Sequence, residues 1–329
     1  MISDAARVDL LQSVPLFAGV GEDTLADVAH LLREREFGPG DRLWHEGDQA
    51  DGMALIAAGR VAIALRQADD HSFKTIAMGP GETIGEIALF EGGPRSATAY
   101  AAESATLLWL SRTDFSALIS QRSPSALVLR RCIAVVATER LRRQLGHLKT
   151  LIGGDGAAGS EIEPATTLTE LESGEPPDTA YLQRMATFRS FDARALEGFM
   201  TAGRFVRCPR GRTLVSEGGR SEACYLTING AVEKVLVRGD RRFRVGVAGP
   251  GQAFGYEGLI DGGAAPLTSI TRERALLLVV PREPFERLFN GETDESQVFV
   301  EVIDRDVTAS WRQALRPQAR LIGRTGQAA

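Results

Sequence analysis

One pattern of glycines and apolar residues occurs twice in this chain of 329 residues. The glycines of the first copy that return in the second are Gly40, Gly47, Gly59, Gly79 and Gly85, matched by Gly211, Gly218, Gly230, Gly249 and Gly255. The spacing shortens by one residue between the third and the fourth of these pairs, which indicates a deletion in a hairpin. A repeat of this length predicts that each half of the chain forms the same structural unit.

A short segment of the first copy groups residue types that suit an anionic ligand. Its key residues are Gly85, Glu86, Ile87, Ala88, Arg95 and Ser96. A glycine lets the backbone approach a ligand closely, and the first N–H groups of a helical turn at Ile87 and Ala88 would lack intrahelical partners. Arg95 can present two parallel donors to phosphate oxygens, Glu86 can accept from a ribose 2′-hydroxyl, and Ser96 adds a hydroxyl. Together these groups predict a site for a phosphate joined to a ribose.

The segment from about Leu11 to Leu118 carries further positions of the same signature. They are Phe37, Gly40-Asp41, Glu46-Gly47-Asp48, the apolar run from Met53 to Ile56, and Gly59-Arg60-Val61. With this combination the segment resembles the cyclic-nucleotide-binding domain family, which includes bacterial catabolite activators and regulatory subunits of the cyclic-AMP-dependent kinase. The resemblance implies a β-roll of short antiparallel strands, flanked by helices, with the nucleotide bound through Glu86 and Arg95.

Because the pattern is repeated, we predict a mainly β chain with flanking helices. It would contain two tandem antiparallel, jelly-roll-like β-rolls, each followed by a helix. The expected ligand is cAMP, with cGMP as the second choice, because Ser96 follows the arginine where the resembling family has threonine in association with cGMP. The alternative is a β-roll that keeps the fold without the ligand.

The second copy differs from the first where the ligand would bind. Tyr256 stands opposite Glu86, and Ala265 stands opposite Arg95. A buried phosphate without a guanidinium partner loses about 1.5–3 kcal/mol of charge-assisted hydrogen bonding, which is about ten- to a hundredfold in affinity. We therefore expect the second copy to be degenerate as a cyclic-nucleotide site.

The composition along the chain predicts three segments, which are a first domain over 1–152, a linker over 153–179 and a second domain over 180–329. The linker contains glycines, prolines and acidic residues but no lysine or arginine. Such a stretch has too little apolar surface to order itself.

A helix is predicted after each β-roll. The first spans about Ser123 to Ile152, and its apolar stripe consists of Ala134, Ala137, Leu141, Leu145, Leu148 and Ile152. In the resembling family this helix often pairs with its twin, so the stripe implies a homodimer or a contact with the second domain, and packing on its own barrel is the alternative. The second helix spans about Glu295 to Arg316 and ends at Pro317. Trp311 on its stripe is expected to be a core or interface residue.

Other features narrow the range of functions. The 38 basic and 43 acidic residues give a net charge of −5, which disfavours nucleic acid as a partner. We expect no membrane partner and a cytoplasmic location, because no apolar run approaches the length of a membrane span and no secretion signal is recognisable. Three widely spaced cysteines, Cys132, Cys208 and Cys224, indicate neither a disulfide framework nor a metal site.

No nucleophile and base are brought together by the sequence, so no catalytic residues and no enzymatic activity are expected. A helix-turn-helix is not expected after the last helix. Three functions stay open at this point. The first is a cyclic-nucleotide sensor that signals through helix rearrangement to the second domain or to an unidentified effector protein. The others are a nucleotide-independent protein-interaction scaffold and an atypical DNA-binding regulator.

Overall fold

The computed structural model describes residues 2–14, 17, 20–66, 73–86, 93–120, 124–152, 164–189, 191–238 and 241–325. The predicted helical turn at Ile87 and Ala88 lies outside these residues. The chain divides into two compact units, the first from the start of the chain to Ile133 together with the chain end from Ile322, and the second from Ala134 to Leu321.

The first unit contains two four-stranded sheets. Its helices are α1 (Asp4–Ser13), α2 (Glu22–Leu31), α3 (Arg112–Ser120) and the first part of α4 (Pro124–Leu151). Its strands are β1 (Leu32–Phe37), β2 (Arg42–Trp44), β3 (Gly52–Ala58), β4 (Val61–Arg66), β5 (Phe73–Met78), β6 (Thr83–Ile84), β7 (Thr98–Ala101) and β8 (Ala105–Ser111). The sheet orders are β1-β8-β3-β6 and β2-β7-β4-β5, and neighbouring strands are antiparallel.

The second unit repeats this architecture. Its strands are β9 (Glu172–Ser173), β10 (Arg204–Cys208), β11 (Thr213–Val215), β12 (Ala223–Asn229), β13 (Val232–Arg238), β14 (Arg241–Ala248), β15 (Ala253–Phe254), β16 (Thr268–Thr271) and β17 (Ala275–Pro281). Its further helices are α5 (Thr179–Gln183), α6 (Ala193–Thr201), α7 (Glu257–Ile260), α8 (Arg282–Asn290) and α9 (Asp294–Thr325), the last of which belongs to this unit as far as Leu321. The sheet orders β15-β12-β17-β10-β9 and β11-β16-β13-β14 match those of the first unit, apart from the added edge strand β9.

Glycines in the left-handed region confirm that the sequence repeat is a structural repeat. In the first unit Gly40, Gly47, Gly59, Gly81 and Gly85 have positive φ, and so do Gly211, Gly218, Gly230, Gly251 and Gly255 in the second. A residue with a Cβ rarely adopts this conformation, so the turns of both rolls depend on glycine at the same places. The predicted fold class, two tandem antiparallel β-rolls with flanking helices, is confirmed.

The core of the first roll lies between its sheets and extends under its helices. Trp44 and Trp109 meet edge to face, with ring centroids 6.0 Å apart, and pack with Ile56 and Leu107 inside the roll. A second cluster joins α1 and α2 to the roll through residues such as Leu25 and Leu108, and Ile133 of α4 belongs to it.

The segment predicted as a linker over 153–179 is partly built into the second unit. The Thr166 N–H donates to the Thr213 carbonyl at 2.9 Å, and the side chain of Leu171 is buried. Strand β9 then pairs with β10, where Ser173 faces Val206. The edge strand β10 has backbone N–H and C=O groups that need partners. Hydrogen bonds to them order the segment that contains β9, although its acidic composition alone predicts no ordered structure. Residues 153–163 of the predicted linker lie outside the described residues.

Helix α4, predicted over 123–152, spans Pro124–Leu151, and the division between the units falls inside it rather than after residue 152. Its stripe residues Leu141, Leu145 and Leu148 are buried with Leu236 and Leu267 of the second unit. Among the alternatives for the stripe, the structure therefore shows the contact with the second roll.

Helix α9 continues to Thr325, so the predicted end at Pro317 is wrong. A proline removes one N–H donor from a helix, and a long helix can continue past that loss. Trp311 packs against the cluster of Leu141 and its neighbours, as expected for a core residue.

We predict that Gly59→Ala destabilises the first roll more than Gly40→Ala does. Both glycines have positive φ, which costs about 1–2 kcal/mol for alanine. An added Cβ at Gly59 would also lie 2.0 Å from the Ser104 carbonyl oxygen, whereas at Gly40 it would meet no described atom within 4 Å. Urea unfolding followed by circular dichroism measures the difference, and equal losses of stability would contradict the steric argument.

Candidate functional site

The candidate site of the first roll lies where β6 ends and where the chain enters β7. Gly85 and Glu86 follow β6 directly, and Arg95 lies three positions before Thr98, the first residue of β7. The Arg95 N–H donates to the Asp48 carbonyl at 2.8 Å, and the Arg95 carbonyl accepts from the Gly47 N–H at 2.9 Å. The backbone of the arginine is thereby fixed to the loop between β2 and β3.

The Arg95 side chain is buried, with 2% of its surface exposed. Its Nη2 donates to Asp51 Oδ1 at 2.9 Å, and its Nη1 donates to the Gly85 carbonyl at 3.3 Å. The guanidinium carbon lies 4.0 Å from the centroid of the Trp44 ring. Burial lowers the pKa of Arg95, and the negative charge of Asp51 acts in the opposite direction. Since an arginine stays charged at any physiological pH, this is a buried cation.

Glu86 is near enough to the guanidinium to act on it electrostatically. The side chain of Glu86 is fully buried, and its negative charge also favours the charged form of Arg95, raising the pKa of the arginine. The carboxylate and the guanidinium that the sequence analysis assigned to one site are therefore close to each other in the structure.

Gly85 makes room for the arginine. Its φ is +78°, and an added Cβ would lie 2.3 Å from Arg95 Nη1 and 3.3 Å from the Trp44 ring. Only glycine satisfies both the backbone conformation and the available space at this position.

The site retains a donor that fits an anion. Arg95 Nε is buried, and in the described part of the chain it has no hydrogen-bond acceptor. A buried N–H of a charged group is costly to leave unpaired, so a phosphate oxygen would satisfy it. Ser96 is exposed next to the arginine, while Ile87 and Ala88 lie outside the described residues.

Sequence reasoning did not identify two partners of the arginine, Asp51 and Trp44. Both lie more than forty positions before Arg95 in the chain, so no local spacing connects them to it. The tryptophan also donates from Nε1 to the Ala97 carbonyl at 3.0 Å, which fixes the ring on which the guanidinium stacks.

Backbone hydrogen bonds identify the counterpart of Arg95 in the second roll as Ala265. The Ala265 N–H donates to the Gly219 carbonyl at 2.8 Å, and its carbonyl accepts from the Gly218 N–H at 2.9 Å, which repeats the pattern around Arg95. The Ala265 side chain is buried in an apolar cluster with Leu214 and Tyr225. The second roll thus has a methyl group in apolar surroundings where the first has a guanidinium.

The position of Glu86 is taken in the second roll by Tyr256, which joins a buried polar network. Tyr256 Oη donates to Asp306 Oδ2 at 2.7 Å, and Ser310 Oγ donates to the same oxygen at 3.1 Å. Lys234 Nζ donates to Ser310 Oγ at 2.7 Å and lies 3.8 Å from Asp306 Oδ2. Strand β13, helix α9 and the residue that follows Gly255 are thereby joined inside the roll.

Burial governs the ionisation of this network. It raises the pKa of Tyr256 well above the usual value, and the nearby carboxylate of Asp306 acts in the same direction, so the phenol stays neutral. Burial also raises the pKa of Glu257, while the positive charge of Lys234 lowers it. The side chains of Tyr256, Ser310 and Lys234 thus use their hydrogen bonds within the second roll.

Among the described residues, no group of three or more His, Cys, Asp or Glu side chains is arranged to hold a metal ion. No helix among them has both the length and the apolar character to cross a membrane. The three cysteines are buried and free, and burial raises the pKa of the Cys132 thiol to about 12.

Comparison with known proteins gives a consistent result for both rolls. The model of the cyclic nucleotide-binding domain matches residues 34–122 and 205–292. A cyclic nucleotide-gated potassium channel of Rhizobium etli is 36% identical over 122 residues, which are 37% of this chain and 33% of the channel. The cyclic AMP receptor protein of Thermus thermophilus is 33% identical over 132 residues, or 40% of this chain and 59% of that protein.

The matched segments therefore cover a third of the channel and less than two thirds of the receptor protein. Among solved structures, the regulatory domain of Toxoplasma gondii PKA with cAMP is 17% identical, with a TM-score of 0.33. That alignment covers 88% of this chain and 93% of the other.

We predict that Tyr256→Phe destabilises the second roll by about 1–3 kcal/mol, because the buried Asp306 carboxylate loses a short hydrogen bond. Tyr225→Phe is the matched control, since the Tyr225 hydroxyl makes only a 3.4 Å hydrogen bond to the Leu214 carbonyl. Thermal unfolding by calorimetry measures both variants, and a loss at Tyr225 as large as that at Tyr256 would contradict the role of the network.

Proposed function

This chain belongs to the cyclic nucleotide-binding domain family, and we propose that its first roll binds one cyclic nucleotide, cAMP in preference to cGMP. In this proposal the chain is a regulatory protein that senses a cyclic nucleotide. Binding of the cyclic nucleotide is the signal, and it is transmitted to the second roll or to an effector protein.

The proposal is carried by the buried guanidinium of Arg95. A cation that is 2% exposed, beside Glu86 and Asp51, is a local concentration of charge that a β-roll does not need for packing. Burying an ion is unfavourable unless partners compensate for its lost hydration. Arg95 Nε has no acceptor among the described residues, so it can donate to a ligand anion.

Each residue of the site has a role in this proposal. Arg95 binds the cyclic phosphate, which carries one negative charge, and Glu86 accepts a hydrogen bond from the ribose 2′-hydroxyl. We assign the backbone N–H groups of Gly85, Ile87 and Ala88 and the Ser96 hydroxyl as further donors to the phosphate. The preference for cAMP is supported by Ser96 and by the similarity to the cyclic AMP receptor protein of Thermus thermophilus.

Helix α4 is the route that we assign to the signal. Its first part contributes Leu129 and Ile133 to the core of the first unit, and its second part contributes Leu141 and Leu145 to a core of the second. A nucleotide that binds two packings of this helix with different affinity shifts the population between them. A cytoplasmic location and a homodimer stay predictions, and a dimer would need a helix face other than the buried leucine stripe.

We predict that Arg95→Ala weakens cAMP binding about tenfold or more, because a charge-assisted contact of about 1.5–3 kcal/mol is lost. Arg220→Ala is the control, since Arg220 pairs with Glu222 at the surface of the second roll and its side chain is 72% exposed. Calorimetric titration with cAMP and with cGMP gives both affinities. Binding by Arg95→Ala that is as tight as in the parent chain would contradict the assignment.

We also predict that Gly85→Ala lowers the affinity without changing any charge. The added Cβ would displace the Arg95 guanidinium from its present position. Gly255→Ala is the matched control, because its φ is also +78° but it lies in the second roll. The same titration measures the cAMP affinity of both variants. An equal loss of affinity in the two would show that displacement of Arg95 is not the cause.

The titration also separates the alternative functions. A parent chain that gives no heat with either nucleotide, although it is folded by circular dichroism, would favour the interaction scaffold. A mobility shift of duplex DNA that weakens as salt increases would favour the DNA-binding regulator.

A further inference from the structure

The second roll contains a loop built to accept a cation. The loop runs from Asp261 to Ala264 and ends immediately before Ala265, the counterpart of Arg95. Asp261 Oδ1 accepts from the Gly263 N–H at 2.9 Å, which fixes the carboxylate within the loop. The Asp261 side chain is 10% exposed, so its charge is only weakly screened by solvent.

A guanidinium from helix α4 occupies this loop. Arg142 Nη2 donates to Asp261 Oδ1 at 2.7 Å, and its Nε donates to Asp261 Oδ2. Its Nη1 donates to the Ala264 carbonyl, so all three nitrogens of the guanidinium are bound. We call Asp261, Gly263 and Ala264 the arginine dock.

Gly263 fits the dock to a planar guanidinium. An added Cβ at this position would lie 2.9 Å from Arg142 Cζ and from Nη2. Gly263 is not one of the glycines with positive φ, so its backbone conformation does not itself require glycine. The space that the missing side chain leaves is therefore used by the arginine.

A second contact holds the same helix about two turns further on. Lys149 Nζ lies 2.7 Å from Glu217 Oε1, and Arg238 binds the same carboxylate through Nη1 and Nη2 at 3.2–3.3 Å. Between the two polar contacts, Leu145 and its neighbours on the stripe are buried against the second roll. The distal half of α4 is thus bound by an apolar seam with an ion pair at each end.

The charge that this loop presents to a ligand is opposite in sign to the charge that Arg95 presents in the first roll. The first roll supplies a cation, Arg95, whereas the loop of the second supplies a carboxylate and a carbonyl. Glu257, one residue after the counterpart of Glu86, is also buried; burial raises its pKa, and the positive charge of Arg142 acts in the opposite direction. A phosphate placed here would face two carboxyl groups, whereas a guanidinium is complementary to them.

We infer that the second roll has a side chain of this chain as its ligand in place of a nucleotide, the Arg142 guanidinium in the arginine dock. Binding at the dock keeps the distal half of α4 on the second roll. The dock itself does not depend on nucleotide binding, and only its use as the receiver of the signal rests on the proposed function.

The test is hydrogen exchange of the full chain without nucleotide, comparing Arg142→Ala with Arg143→Ala. Arg143 is the next residue of the helix and is exposed, so it controls for charge and helix propensity. We expect Arg142→Ala to speed exchange in residues 141–151 and in the dock about tenfold or more, the loss expected when charge-assisted hydrogen bonds are removed. Arg143→Ala should leave these rates within about twofold of the parent.

Gly263→Ala gives an independent approach to the same contact, because it keeps both charges. It should speed exchange in residues 141–151 as well, since the added methyl displaces the guanidinium. Unchanged exchange in β12 and β17 shows that each variant is folded. Parent-like exchange of residues 141–151 in folded Arg142→Ala and folded Gly263→Ala would overturn the inference.

Calorimetry with cAMP separates this inference from the proposed function. One nucleotide per parent chain is expected, with binding retained in Arg142→Ala. Two nucleotides per chain, the second competing with the dock, would overturn the inference but not the first site. No binding by the parent chain would contradict the proposed function and leave the exchange result on the dock unaffected.

Discussion

The first roll depends on how it accommodates one buried positive charge. An arginine in a protein interior is unfavourable unless its donors are bound and its charge is compensated. Arg95 meets these conditions with the Asp51 carboxylate, the Gly85 carbonyl and the face of Trp44, and Glu86 adds a second negative charge nearby. Gly85 must lack a side chain for this arrangement to exist. In the proposed complex a phosphate oxygen accepts from Arg95 Nε, which has no acceptor among the described residues.

The second roll shows that the fold does not require this charge. Its backbone around Ala265 repeats the hydrogen bonds around Arg95, yet the side chain there is apolar. Inside it Tyr256 and Ser310 donate to Asp306, and its loop binds a guanidinium that comes from α4. Two rolls with one topology therefore have opposite electrostatic preferences, because function resides in the site rather than in the fold.

Much of the fold could be predicted because its determinants are local. Glycines with positive φ mark the turns of both rolls, and their spacing can be read directly from the sequence. Asp51 could not be assigned to Arg95, because that pair forms only when distant loops meet. The periodicity of α4 indicated that one face of the helix is buried but not which surface covers that face. The pairing of β9 with the edge of β10 could not be predicted, because the acidic composition before β9 is typical of an unordered linker.

The most direct test of the account is an experimental structure of the full chain with saturating cAMP. The account predicts one nucleotide per chain, in the first roll, with its phosphate bound to Arg95 and its ribose to Glu86, while Arg142 stays in the arginine dock. A nucleotide seated in the second roll, or a first roll in which Arg95 keeps only its protein partners, would contradict it.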